Sequence, residues 1–124
     1  MFAPTLALIR ARLDRLGVAL SALCLIHCVS GVVLVGLLGI GGGVLLDPRV
    51  HEYGLAAAIA IGALGLGFGL ARHGRREPLI MGCVGLVLMA MGLAVPHGLP
   101  EMAMTIPGVI LLAFAHIRNL RHAA

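Results

Sequence analysis

The chain contains no tryptophan, and aromatic residues make up only 3% of its 124 positions. Charge is scarce as well, at 11%, while hydrophobic residues reach 60% and the mean hydropathy is +1.10. A water-soluble domain of this size is excluded by that balance, and the chain is expected to lie in a bilayer. The lack of aromatics also removes most of the interfacial belt that ordinarily marks span ends, leaving Tyr53 as the one such anchor. The opening "MFAPTLALIRARLDRLG" lacks the order of a cleaved signal peptide, because its arginines follow the short apolar run and no small-residue cleavage site comes after. With no long linker and no repeat, residues 1–124 read as a single domain.

A spanning helix needs roughly 20 predominantly apolar residues, and Arg, Asp, Glu and Pro divide the chain into four such stretches. The expected fold is all-α, a polytopic four-transmembrane-helix bundle with spans at about 16–39, 53–71, 79–95 and 103–117. The last two are short enough to borrow flanking residues. Residues 1–15 are expected to form an amphipathic lead-in on the inner leaflet, with Pro4 in a first turn and Leu6, Ile9 and Leu13 at helical spacing.

Orientation follows from the arginines. Arg10, Arg12 and Arg15, then Arg72, Arg75 and Arg76, then Arg118 and Arg121 all fall on one side of a four-span path, whereas the first loop has only Arg49 beside Asp47 and Glu52. The positive-inside rule therefore puts both termini in the cytoplasm. The net charge of +4 is accounted for by this topology and by attraction to the inner leaflet, so no nucleic-acid partner is implied.

The eighteen glycines suit lipid, where they let helix backbones approach closely. Gly39 and Gly43, and Gly65 and Gly69, each share a helix face, with Gly62, Gly82, Gly85 and Gly92 as further contact points. Such faces either close the bundle or join protomers in a homo-oligomer. The carboxylates Asp14, Glu77, Asp47, Glu52 and Glu101 all fall at span ends in this reading. That disfavours a carboxylate-based proton or sodium relay and paired-carboxylate hydrolysis.

What remains inside the spans is concentrated in "CLIHC". Cys24, His27 and Cys28 are three and four residues apart, so they share one helix face, with Ser21 a turn before. Measured from Arg15, Cys24 lies roughly 13 Å along the helix and Cys28 roughly 6 Å further, bracketing the midplane. A lone buried cysteine acts as a small hydrophobe, which is the reading for Cys83. A mid-membrane imidazole between two thiols is costly and argues for function. Two thiolates and an imidazole suit Hg(II), Cu(I) or Zn(II) and not hard divalent ions. An incoming cation displaces the thiol protons, and the imidazole takes one or acts as a third ligand. A disulfide across four residues of a regular helix is awkward, because the Cβ vectors run nearly parallel.

The stretches "LDRLGVALSALCLIHC" and "GVILLAFAHIRNLRH" resemble the MerC-type family of mercury-resistance inner-membrane proteins over essentially the whole chain. The resemblance is to the broader branch with a Cys-x-x-His-Cys stretch after Asp14 and Gly17, and a terminal His116 followed by Asn119. It implies mercuric-ion uptake across the bacterial inner membrane through Cys24 and Cys28. It also implies a periplasmic metal-binding protein as donor and a cytoplasmic mercuric reductase as receiver. No catalysis and no tightly bound cofactor are expected. The better-known mercury transporters of the family lack the intervening histidine, and many carry a second cysteine pair near the C-terminus, where this chain ends "NLRHAA". Either handover goes directly to a partner protein, or the ion is not mercury.

Other polar residues are secondary candidates. His51 and Glu52, with His97 and Glu101, fall on the outer side, where His51 and His97 would collect a cation if they are more than solvated surface. At the inner end, an Asp14–His116 hydrogen bond stapling the first and fourth spans is preferred to an exit-ligand role for Asp14 and His116. Met81, Met89, Met91, Met102 and Met104 read as packing residues before thioether ligands for copper. The rival readings are a thiol-redox, haem- or copper-handling membrane protein and a non-catalytic assembly factor. Haem would want a second histidine at similar depth to His27.

Overall fold

The computed structural model describes residues 3–39, 47–96 and 99–123. Among these, four helices cover nearly everything: α1 (Ala3–Gly31), α2 (Pro48–His73), α3 (Glu77–Ala94) and α4 (Leu99–Ala123), and there is no strand. All four are long and apolar enough to cross a membrane. The chain is thus an all-α, four-span membrane protein. In such a protein every backbone polar group within the hydrocarbon must be paired inside its own helix, which is why regular helices take up so much of the chain.

The helix ends follow local chemistry. Asp47 caps α2 by accepting a hydrogen bond from the Arg49 amide at 3.0 Å, and Pro48 occupies the first turn, where its missing N–H costs nothing. At the other end Gly74 takes a left-handed conformation (φ 71°) and donates its N–H to the Leu70 carbonyl at 2.9 Å. Pro107 sits inside α4 on an exposed face.

Two boundaries depart from expectation. α1 begins at Ala3, so from that residue on the lead-in expected at residues 1–15 is not a separate surface helix but the first turns of α1. Arg12 and Arg15 turn outward while Asp14 turns into the bundle, so the arginines do not stop the helix. At its far end α1 widens into a π-helix, Val32–Leu37, and turns through Gly39 at φ 65°. α4 extends the expected fourth span at both ends.

The helices pack up and down in turn. α4 touches the other three, while α1 and α3 lie diagonally opposite without contact. The buried faces of α1 and α3 follow helical spacing and are made largely of small or polar residues: Asp14, Gly17, Ser21, Cys28 and Gly31 on α1, and Pro78, Gly82, Gly85 and Gly92 with Met89 on α3. Large apolar side chains such as Leu23, Ile26, Val87 and Phe114 point outward, as lipid requires. A compact core of Ala58, Leu66, Met89, Val109, Leu112 and Ala115 fills the centre.

Backbones come closest between α3 and α4, where a Cβ at Gly85 would meet the Gly108 carbonyl oxygen at 2.6 Å. Backbone cannot retreat as a side chain does. Gly85→Val is expected to lower stability by about 1–3 kcal/mol through overpacking, whereas Gly67→Ala, with open space around it, should be neutral or slightly stabilising. Thermal unfolding of the two variants in detergent checks the contrast.

Candidate functional site

Two polar clusters lie at different depths in the bundle. The first joins the end of α1 to the starts of α2 and α4. Cys28 is buried on the inner face of α1, and its Sγ meets His51 Nε2 of α2 at 3.8 Å. His51 Nδ1 lies 3.1 Å from the carboxylate oxygen Oε1 of Glu101, which the first turn of α4 buries. The Nδ1 side of the ring is thus turned to the carboxylate and the Nε2 side to the thiol. His27 approaches from α1, its ring in edge contact with that of His51 at a centroid separation of 5.2 Å. His27 Nε2 is buried and has no hydrogen-bond partner.

Donor atoms of His27, Cys28 and His51 all lie within 4.8 Å of one another, and among the described residues no other group of histidine, cysteine or carboxylate side chains is as close. Cys24 is not in that group. It lies one turn away on α1, with Gly54 of α2 beneath its sulfur at the distance of ordinary contact. Cys24, His27, His51, Gly54, Met89 and Thr105 line one cavity of about 240 Å³. All three cysteines are free thiols, and Cys83 is exposed on α3, away from the cluster.

His51 therefore takes a place beside Cys28 that its position in a loop-like stretch did not suggest. The available signal was "DPRVHE": Asp47 and Pro48 start a helix, so His51 falls at the end of its first turn and faces the bundle. Glu52 is exposed one residue on, and His97 lies outside the described residues. The depth of the site also differs from expectation. Because His51 and Glu101 are first-turn residues, Cys28 sits level with the starts of α2 and α4, toward the first-loop end of the bundle and not at its middle, with Cys24 about 6 Å deeper. His51 does lie at the depth of His27, but rings in edge contact leave no room for a macrocycle between them.

The second cluster lies fourteen residues along α1, about 21 Å away. Asp14, His116 and Asn119 are all but completely buried. His116 donates from Nδ1 to Asp14 Oδ1 at 2.8 Å, so the expected staple between the first and fourth spans is present. Asn119 donates from Nδ2 to both Asp14 oxygens, at 3.1 and 2.9 Å, and to the Gly65 carbonyl at 2.9 Å. His73 of α2 accepts from the Arg75 amide at Nδ1 and donates from Nε2 to Asn119 Oδ1 at 2.7 Å. Glu77 and Arg118 pair at the same end. The His116 ring lies over Gly17, where any Cβ would overlap it.

This cluster revises the reading of Asp14 as a surface residue. Asp14 faces Gly65, which is eight residues, about 12 Å, inside the His73 end of α2. A buried carboxylate thus lies within the apolar length of the bundle, and its cost is met by the donors that His116 and Asn119 supply.

Residues 14–121 match the family described as MerC mercury resistance protein. The chain belongs to the MerC family. It is accordingly a multi-pass membrane protein of a mercury-resistance family, and the match spans both clusters. No curated protein and no solved structure matches the chain.

Asn119→Ala removes the donors to Asp14 and Gly65 and the acceptor for His73 together. Leaving buried polar groups unpaired costs about 1–3 kcal/mol each, so a marked fall in thermal stability in detergent is expected.

Proposed function

We propose that this MerC protein carries mercuric ion across the bacterial inner membrane into the cytoplasm, with Cys28 as the receiving thiol and Cys24 as the next carrier. The observation that supports this most directly is the convergence of the Cys28 sulfur with the nitrogens of His27 and His51, two histidines that line the cavity together with Cys24. Thiolate with imidazole is a soft to borderline donor set, suited to Hg(II) and next to Cu(I) or Zn(II). Asp14 and His116 have no ligand role in this reading, because His116 Nδ1 is committed to Asp14 and its ring is closed over Gly17.

The geometry supports one order of steps. An ion entering from the first-loop side meets Cys28, whose proton has an acceptor in His51, held in orientation by Glu101. Binding forms a sulfur–metal bond and moves the thiol proton to His51. Cys24, one helical turn deeper on α1, forms the second sulfur–metal bond as its own proton passes to the unpaired Nε2 of His27, which lines the cavity with it, and carries the ion inward as a neutral bis-thiolate. Release then goes to thiols on the side of the arginines, which belongs to the cytoplasm by the positive-inside rule. A periplasmic metal-binding protein as donor and a mercuric reductase as receiver fit this direction, and the glycine faces of α2 and α3 are used within the bundle.

Cys24→Ser and Cys28→Ser preserve volume while removing the soft ligand. Each is expected to insert normally and to abolish uptake of radioactive mercuric ion, and Cys83→Ser to be silent. His51→Gln, which cannot take the thiol proton, should slow uptake while Glu52→Gln does not. Normal uptake by the double serine variant would defeat the proposal.

Selectivity and orientation are separately testable. Excess magnesium should leave bound mercuric ion in place, as hard cations do not compete for thiolate. A cysteine introduced at Gly74 should be shielded from an impermeant thiol reagent applied to intact cells, since that loop is expected to be cytoplasmic.

A further inference from the structure

Cys28 belongs to two overlapping sets of donors. Along α1 it is paired with Cys24, four residues away on the same face, and that set is two thiols. Toward α2 it is grouped with His27 and His51, and a donor atom of each of these three residues lies within 4.8 Å of the other two, a group that leaves Cys24 out. Accepting the protons of incoming metal needs only one imidazole near each thiol. It does not need three donors gathered at one point, nor a buried carboxylate 3.1 Å behind one of the rings, which is where Glu101 stands.

Those two features are what zinc asks of a protein. A histidine that ligates zinc through one nitrogen commonly has a carboxylate at the other, which fixes the ring and raises its basicity. His51 has Glu101 on its Nδ1 side and the Cys28 sulfur on its Nε2 side. Zinc bonds run about 2.0–2.1 Å to nitrogen and about 2.3 Å to sulfur, so tetrahedral ligands stand about 3.3–3.6 Å apart. Cys28 Sγ and His51 Nε2, at 3.8 Å, are close to that spacing already. His27, whose Nε2 is buried without a partner, joins them by closing about 1 Å. The cavity that His27 and His51 line leaves the fourth position to water. Charge balances as well: Zn(II), the Cys28 thiolate and the Glu101 carboxylate sum to zero, which an apolar bundle requires.

We propose that His27, Cys28 and His51, with Glu101 behind His51, form a zinc site that holds Zn(II) at the first-loop end of the bundle and keeps it off the carrier path. The binding stands by itself, and its consequence for uptake rests on the transport reading above. As the sulfur–zinc bond forms, the Cys28 proton leaves to water. The zinc ion then occupies a lone pair of each imidazole, so neither histidine can take a thiol proton and mercuric ion cannot load while zinc is there. Softness keeps the two ions apart. One thiolate with two imidazoles suits a borderline ion, whereas two thiolates suit a soft one. Passing on to Cys24 would strip zinc of both imidazoles and draw it away from Glu101. Mercuric ion needs only the two sulfurs and is neutral with them. The histidine inside "CLIHC" thereby makes Cys28 a point of discrimination.

The test titrates Zn(II) alone into the full chain, purified in detergent without a histidine tag, and reads binding by calorimetry. Wild type should take up one zinc ion per chain. Cys28→Ser should abolish that binding and Cys24→Ser leave it unchanged. Glu101→Gln, which keeps all three ligands, should weaken it about 10- to 100-fold, and His51→Gln or His27→Gln should weaken it further. Co(II) bound to the wild-type protein needs no variant to fold: it should show a thiolate-to-metal charge-transfer band that zinc abolishes. In vesicles, external Zn(II) should slow uptake of radioactive mercuric ion, and radioactive zinc should stay outside. Zinc binding that survives Cys28→Ser or His51→Gln, zinc binding that needs Cys24, or no charge-transfer band with Co(II) would overturn the site. Zinc entering the vesicles as fast as mercuric ion would overturn its retention. Normal mercury uptake by the double serine variant defeats the transport reading and leaves the calorimetric result standing, so the two failures are distinguishable.

Discussion

The arrangement of the bundle depends on one buried carboxylate. Asp14 is taken out of water inside an apolar assembly, and the only way to meet that cost is to bring donors to it from other helices. His116 and Asn119 of α4 do so, and Asn119 reaches on to the Gly65 carbonyl of α2. Three helices are thereby set in register by hydrogen bonds that have direction, in a solvent where apolar packing alone has little. Lipid tails are as apolar as leucine, so the interior of such a bundle is distinguished by small and polar residues and not by hydrophobicity.

Register at one end determines geometry at the other. With Asp14 opposite Gly65, the fourteen-residue interval on each of α1 and α2 brings Cys28 level with His51, because antiparallel helices rise equally per residue. The same constraint on α4 brings Glu101 behind His51. The inner cluster is therefore the fixed reference for the metal-handling one, about 21 Å away along the helix. Glycines permit this closeness: the His116 ring occupies the space where Gly17 lacks a side chain, and Asn119 does the same at Gly69.

The two clusters also divide the chemistry by hardness and depth. Sulfur and imidazole sit beside a cavity near the first loop, suited to a soft cation. Carboxylate, amide and imidazole sit all but completely buried within the bundle toward the arginines. A soft ion has no reason to leave thiolates for the second set.

Much of this was legible in the sequence. Four apolar runs separated by arginine, aspartate and proline fix the number of spans, since hydrocarbon thickness sets the helix length and leaves few alternatives. The spacing of Cys24, His27 and Cys28 places them on one face of one helix whatever surrounds them. What the sequence could not carry is which residues of other helices meet that face, because local spacing holds no information on register between helices. Asp14 reads as a surface residue when the neighbouring Arg12 and Arg15 are taken to end the span. Tertiary packing turns it inward, since long arginine side chains reach water from a helix whose opposite face is buried. His51 reads as a loop residue until the cap at Asp47 starts α2 and Glu101 draws the ring against Cys28. The composition of the site belongs to the sequence, and its partners and depth were decided by the helix register that one buried charge imposes.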